Sequence, residues 1–187
     1  MTAPASVEGD ERVRLFCALR LPDETLDGLV AWQREVLADV AGVRPVPRDH
    51  LHITLAFLGH RPAGELETIL GSLRESAAGA ERPRLAVRGY RETRSVGMLT
   101  CDDDGGRAAA LADDLQEQLA ALGVYERERR RWLPHVTVVR FRERPRLQPA
   151  PPALKPFAPS DAAAYLSRLR PGGAQYEVLE SVEVGGR

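Results

Sequence analysis

Two tetrapeptides limit what this chain can fold into more than anything else in it: His52-Ile53-Thr54-Leu55 and His135-Val136-Thr137-Val138. Each sits in a run that alternates apolar and polar residues, the pattern of a strand with one buried face. Side chains two apart on a strand share a face, so each tetrapeptide sets an imidazole beside a hydroxyl and sends its apolar residues the other way. In a chain with four histidines and seven threonines among 187 residues, two such spacings arise by chance about 1% of the time. The bland alternative is a pair of surface strands carrying these residues by accident.

The remaining residues supply a frame for the two strands. Residues 1–11 are polar, small and acidic and predict a disordered tail, which leaves 12–187 as a single bilobal domain. Val13, Leu15, Cys17 and Leu19 share the core face of a first strand. Phe16 falls on its other face, where it either stacks on a base or covers a neighbouring strand. A helix follows from Pro22, with Asp23 as N-cap and Gly42 as its stop. The strand His50 to Leu58 comes next and ends at Gly59, with Leu51, Ile53, Leu55 and Phe57 facing inward and His50, His52, Thr54 and Ala56 outward.

Helical spacing over about residues 62–78 and 107–122 brackets two strands, Leu85 to Tyr90 and Val96 to Cys101. The second motif lies in a strand from Leu133 to Phe141. Six prolines in residues 145–159 make an extended connection. A hairpin, Ala162 to Leu169 and Gln175 to Val184, ends the chain. The strands alternate too regularly for a parallel sheet buried on both faces. The expected fold is therefore α+β: two-lobed, largely antiparallel sheets with outer helices, and a central cleft carrying the two His-x-Thr strands.

Composition excludes more than it identifies. A formal net charge of −1 gives the molecule no general attraction for nucleic acid, so an anionic ligand must be held by local charge. Arg127-Glu128-Arg129-Arg130-Arg131 reads as a solvated loop or as a basic lip beside the second motif. Asp102-Asp103-Asp104 lacks the alternating ligands and closing glutamate of a calcium loop and reads as a turn. Cys17 and Cys101 make neither a disulfide framework nor a metal set. No apolar run approaches a membrane span and no signal-peptide pattern opens the chain, which predicts a cytoplasmic protein with no membrane partner, taken as a monomer.

Two imidazoles across a cleft suit general acid–base catalysis, because an unperturbed histidine pKa of about 6.5 allows one to be neutral and the other protonated near neutrality. Threonine hydroxyls on the same faces can bond the non-bridging oxygens of a phosphate. No nucleophile elbow and no phosphate-cradling Gly-Lys-Ser loop competes with this reading. His50 and His52 have the spacing of a two-histidine metal site, but no third ligand is placed to complete it. No metal and no cofactor is expected.

The chain resembles the 2H phosphoesterase superfamily, and within it the RNA 2′,3′-cyclic phosphodiesterases, also called 2′-5′ RNA ligases. The resemblance rests on Arg14 to Leu19, Leu51-His52-Ile53-Thr54-Leu55-Ala56-Phe57-Leu58-Gly59, Pro134-His135-Val136-Thr137-Val138-Val139-Arg140, and Ser167 to Tyr176 with its Pro-Gly-Gly-Ala-Gln-Tyr ending. It implies hydrolysis of RNA or nucleoside 2′,3′-cyclic phosphate ends to a 2′-phosphate, with reversible 2′-5′ RNA ligation as a companion activity. It also implies His52 as proton donor, His135 as proton acceptor, and Thr54, Thr137 and Arg140 as substrate-binding residues, to which Phe16 is added from its place on the non-core face of the first strand. Arg140 stands five residues after His135, so strict alternation turns it away from the cleft unless a bulge re-aims it. His50 departs from the family's usual asparagine. The competing readings are a phosphodiesterase for a small cyclic phosphate, such as ADP-ribose 1″,2″-cyclic phosphate, and a nucleotide- or RNA-binding module without turnover.

Overall fold

The computed structural model describes residues 11–185. The tail expected over residues 1–11 lies outside them except for Glu11, whose carbonyl accepts the Ala63 N–H at 2.8 Å. The elements run β1 (Arg12–Arg20), α1 (Asp23–Leu37), β2 (Val43–Pro45), β3 (His52–Pro62), α2 (Leu66–Gly79), β4 (Leu85–Glu92), β5 (Val96–Asp103), α3 (Arg107–Ala121), β6 (His135–Phe141), β7 (Asp161–Arg170) and β8 (Gly173–Glu183).

They form two four-stranded sheets, in the orders β3-β1-β7-β8 and β2-β6-β5-β4, every pairing antiparallel. The mixed α+β, two-lobed architecture is the one expected, and each sheet carries one His-x-Thr strand. Helices α2 and α3 pack on each other and behind the first sheet, α2 against β7 and β8 and α3 against β3. Helix α1 lies against the second sheet. Each motif strand is therefore backed by a helix from the other half of the chain.

Alternation places the core. Leu15, Cys17 and Leu19 of β1, Ile53 and Leu55 of β3, and Val136 and Val138 of β6 are at most 2% exposed and join the helices' apolar stripes in one cluster. Each fully buried aliphatic side chain there contributes about 1.5–3 kcal/mol relative to exposure. The opposite face of the first sheet carries a separate small cluster of Phe16, Ala18, Ala163 and Tyr165, covered by Tyr176. No helix of the described residues is long and apolar enough to cross a membrane.

Local departures from the sequence pattern have physical causes. Pro22, not Asp23, is the N-cap of α1, and Asp23 instead accepts a bond from Arg48 at 2.8 Å. The helix ends at Leu37, before Gly42, where the Val40 N–H closes a turn onto the Leu37 carbonyl. Residues 48–50 form a 3-10 turn, so β3 starts at His52. Gly59 does not end that strand. It takes a φ of +68° beside a bulge, a conformation glycine adopts without penalty, and β3 continues to Pro62.

Candidate active site

One irregularity, repeated in both lobes, builds the site. In β3, Cys17 pairs with Ala56 and Ala18 with Thr54, so Leu55 is an extra residue between two rungs. In β6, Gly97 pairs with Val139 and Met98 with Thr137, so Val138 is extra in the same way. Both bulges follow the threonine of the motif directly. Each reverses the alternation beyond it. Ala56 and Val139 turn into the core at 1% and 0% exposure, while Phe57 and Arg140 turn out onto the histidine face.

The expected inward Phe57 and outward Ala56 are thereby exchanged, and Arg140 reaches the cleft that strict alternation denied it. The second bulge also depends on Gly97. A Cβ there would run into the Tyr90 hydroxyl and Val139 Cγ1.

A bulge takes the backbone out of its ladder, and buried side chains satisfy what it frees. Gln116 of α3, 7% exposed, donates to the Leu55 carbonyl at 2.7 Å. Gln33 of α1, 4% exposed, donates to the Val138 carbonyl at 2.6 Å and to the Val46 carbonyl at 3.0 Å.

The two lobes enclose a cleft of about 630 Å³. His52, Thr54, His135, Thr137, Arg140 and Phe16 all line it, so every residue expected at the site converges there. Each histidine is oriented by its own backbone. His52 Nδ1 bonds the His50 carbonyl and His135 Nδ1 the Leu133 carbonyl, both at 2.8 Å. A carbonyl only accepts, so Nδ1 carries the proton in both rings, and Nε2 is the nitrogen left to exchange protons. His52 Nε2 lies 3.2 Å from Thr54 Oγ1.

Their surroundings differ. The His52 ring stacks on Phe16 at 4.9 Å and meets Tyr176 edge-on at 5.7 Å. Burial among these rings pushes its pKa down to about 4, and the nearby His50, His135 and Arg140 act in the same direction, while the bond to the His50 carbonyl opposes them. Phe16 is 3% exposed, and Tyr165 stacks on it at 4.7 Å. Phe16 is thus the bed of the His52 ring.

His50 packs against Tyr176 with ring centroids 4.3 Å apart and planes tilted by 35°, and its pKa is lowered chiefly by burial. Among the described residues no three His, Cys, Asp or Glu side chains gather as a metal ion would need. Cys17 is fully buried, its thiol pushed up to about 12 by desolvation, which removes it as a nucleophile.

Arg14, Phe57 and Tyr176 are among the cleft residues that the sequence pattern did not put forward. Phe57, 48% exposed, carries the Arg14 guanidinium over its ring at 4.6 Å. Tyr176 arrives from β8 after the Gly172-Gly173 turn. Arg14 shares the face of Phe16 by plain alternation along β1, whereas the signal for Phe57 lay in the bulge, which leaves no pattern in a single sequence beyond two adjacent apolar residues.

Comparison with known proteins agrees with this geometry. The LigT like Phosphoesterase family model matches residues 19–95, a span that holds the first motif. The chain is 32% identical to the RNA 2′,3′-cyclic phosphodiesterase of Thermus thermophilus, over 93% of this chain and 91% of that protein. It is 29% identical to the protein of the same name from Escherichia coli K12, over 91% and 96%. Among solved structures it is similar to TT0787 of Thermus thermophilus, with a TM-score of 0.80 at 30% identity, covering 93% of this chain and 99% of that one. It is also similar to Escherichia coli LigT complexed with 3′-AMP, with a TM-score of 0.78 at 25% identity, covering 93% and 99%. A likeness at this identity over almost the whole chain, carried by a fold with one motif in each lobe, makes this protein a member of the LigT-like RNA 2′,3′-cyclic phosphodiesterase family.

Proposed function

We propose that the protein hydrolyses the 2′,3′-cyclic phosphate of RNA ends and nucleotides to a 2′-phosphomonoester, by proton transfer between two histidines. The observation that carries this reading is the matched pair of imidazoles, each with Nδ1 bonded to a carbonyl and Nε2 left for proton exchange in one cleft. Binding alone does not need two such groups.

In the reaction, His135 Nε2 takes a proton from water as the water oxygen bonds phosphorus in line. The bond from phosphorus to the ribose 3′ oxygen breaks, and His52 gives that oxygen the proton of its Nε2. One water is consumed, and a 2′-phosphate and a 3′-hydroxyl result. The Thr54 and Thr137 hydroxyls and the Arg140 guanidinium hold the non-bridging oxygens as their charge grows. With an RNA 5′-hydroxyl in place of water, the same transfers give a 2′-5′ linkage.

Burial keeps His52 neutral in the free enzyme. A donor in that setting is charged by its substrate: the phosphodiester anion, once bound, favours the imidazolium. The complex of the Escherichia coli relative with 3′-AMP supports a nucleotide phosphate as ligand. Each lobe supplies one histidine, so residues 12–187 act as one catalytic unit. Two free buried thiols fit a reducing compartment such as the cytoplasm.

The test is hydrolysis of a nucleoside 2′,3′-cyclic phosphate in chelator, wild type beside His52→Ala and His135→Ala, with the position of the product phosphate identified. A 2′-phosphate from wild type, and a loss of about 10²–10⁴ in each variant, is the expected result. A 3′-phosphate, or turnover that chelator abolishes, would overturn the mechanism.

A further inference from the structure

The loop between α3 and β6 is tied to both motifs at once. Trp132 Nε1–H donates to the Thr54 carbonyl at 2.9 Å, and the next carbonyl, Leu133, accepts the His135 Nδ1–H at 2.8 Å. Residues 130–131 immediately precede these anchors, so the backbone that carries these two exposed arginines is tied beside the reacting centre. A second hollow of about 490 Å³ opens on this side. It shares Thr54, Phe57 and His135 with the cleft, so the two hollows meet at these residues as the arms of one trough.

The chemistry of this second arm is that of a single-stranded nucleic acid groove. Phe57 offers an exposed aromatic surface, 48% of it open. Arg91, Arg130 and Arg131 line the arm. Arg130 is paired with Glu128 at 2.6 Å, and that carboxylate also lines the hollow. Arg91 and Arg131 make no ion pair and no side-chain hydrogen bond among the described residues, so their donors are available to a ligand. In a chain of net charge −1 this is a local concentration of cations beside a phosphate site. Alternating cation and aromatic is how proteins hold an RNA strand without reading its sequence.

An RNA ending in a cyclic phosphate can leave the reacting centre in one direction only, toward its 5′ end. We infer that the terminal nucleoside occupies the Tyr176 side of the trough and that the nucleotide upstream of it occupies this second arm. Its phosphodiester meets Arg91 and Arg131 and its base lies on Phe57. The inference rests on the cyclic-phosphate reading of the cleft and narrows its substrate to an RNA strand of at least two nucleotides.

The test uses two probes, a nucleoside 2′,3′-cyclic phosphate and a tetraribonucleotide with the same end, on wild type and on Arg91→Ala/Arg131→Ala. Wild type should prefer the tetranucleotide in kcat/KM by tenfold or more. The double variant should lose that preference while its kcat/KM for the mononucleotide stays within twofold, which also reports an intact fold. Fluorescence anisotropy with a labelled tetraribonucleotide 3′-phosphate gives a readout free of turnover. Its binding should weaken about tenfold, and the slope of log K against log salt should become shallower by about 0.7 for each phosphate no longer neutralised.

Equal losses on both probes, or an unchanged tetranucleotide preference and affinity in the variant, would overturn the subsite. Arginine-dependent binding of the tetranucleotide with no hydrolysis of either probe would sink the hydrolysis reading and leave the subsite standing.

Discussion

The two lobes meet the cleft with the same backbone device and opposite chemistry. Both have a histidine fixed through Nδ1 to the carbonyl two residues back, a threonine two residues on, and a bulge directly after it. Both bulges are met by a glutamine from the other half's helix. Yet the bulge of the first lobe delivers an aromatic ring, Phe57, where that of the second delivers a cation, Arg140. His52 sits among Phe16, Tyr165 and Tyr176, while no aromatic ring stacks on His135 among the described residues. A repeated scaffold places two matched imidazoles, and the side chains around them make the two inequivalent. Division of labour between paired titratable groups follows from such differences in surroundings.

The sharpest way to break that comparison is to remove the need for one proton. His52→Ala and His135→Ala should each cost about 10²–10⁴ in rate on an ordinary cyclic phosphate. On a substrate whose 3′ bridging oxygen is replaced by sulfur, the leaving thiolate departs without a proton. His52→Ala should then recover most of its loss and His135→Ala none. Recovery by His135→Ala instead would reverse the assignment of donor and acceptor.

Next in size is the cation that only one lobe has. Arg140→Ala removes charge-assisted hydrogen bonds worth about 1.5–3 kcal/mol to a phosphate, or roughly tenfold to a hundredfold in kcat/KM. Phe57→Ala, at the matching position, should cost a few-fold and mostly in KM. Gln33→Leu should reproduce part of the Arg140→Ala loss, because it withdraws the bond that holds the Val138 bulge. If it acts by that route, the double variant loses less than the sum of the single losses. Strict additivity would show that Gln33 supports the fold without aiming Arg140.

That dependence on bulges explains where the sequence was legible. Alternation placed His52, Thr54, His135 and Thr137 on common faces because those positions precede any register shift. It failed directly beyond Leu55 and Val138, where one inserted residue inverts the face of the positions that follow, in β3 until a second inserted residue at Leu58. Phe57 was therefore expected inside and Arg140 outside. The partners that hold the bulges, Gln33 and Gln116, read as ordinary helix residues, and only tertiary contact shows that they face a strand carbonyl. The 3-10 turn at residues 48–50 is equally non-local. It is held by Arg48, which bonds Asp23 and Asp27 of α1, both at 2.8 Å.

A smaller effect separates the two glutamines. Gln116→Leu leaves the buried Leu55 carbonyl without its side-chain donor and should cost about 1–3 kcal/mol of stability, read as a lower urea midpoint at unchanged slope. Gln33→Leu leaves the Val138 carbonyl the Val46 N–H at 2.9 Å but takes the Gln33 donor from the Val46 carbonyl. It should thus cost a similar stability while costing more activity. A larger activity loss in Gln116→Leu would mean that the first lobe's bulge, not the second's, aims the critical side chain.

The subtlest difference between the lobes needs no substitution. In the free enzyme burial holds the His52 pKa at about 4, and a bound phosphodiester anion raises it. The inflection that His52 contributes to a pH–rate profile follows that pKa. The profile of kcat/KM reports the free enzyme and that of kcat the complex. The His52 inflection should therefore lie at higher pH in kcat than in kcat/KM. Arg140→Ala removes one of the charges that lower the His52 pKa and should shift its kcat/KM inflection upward. Inflections at the same pH in both profiles would mean that the bound phosphodiester does not charge the buried histidine.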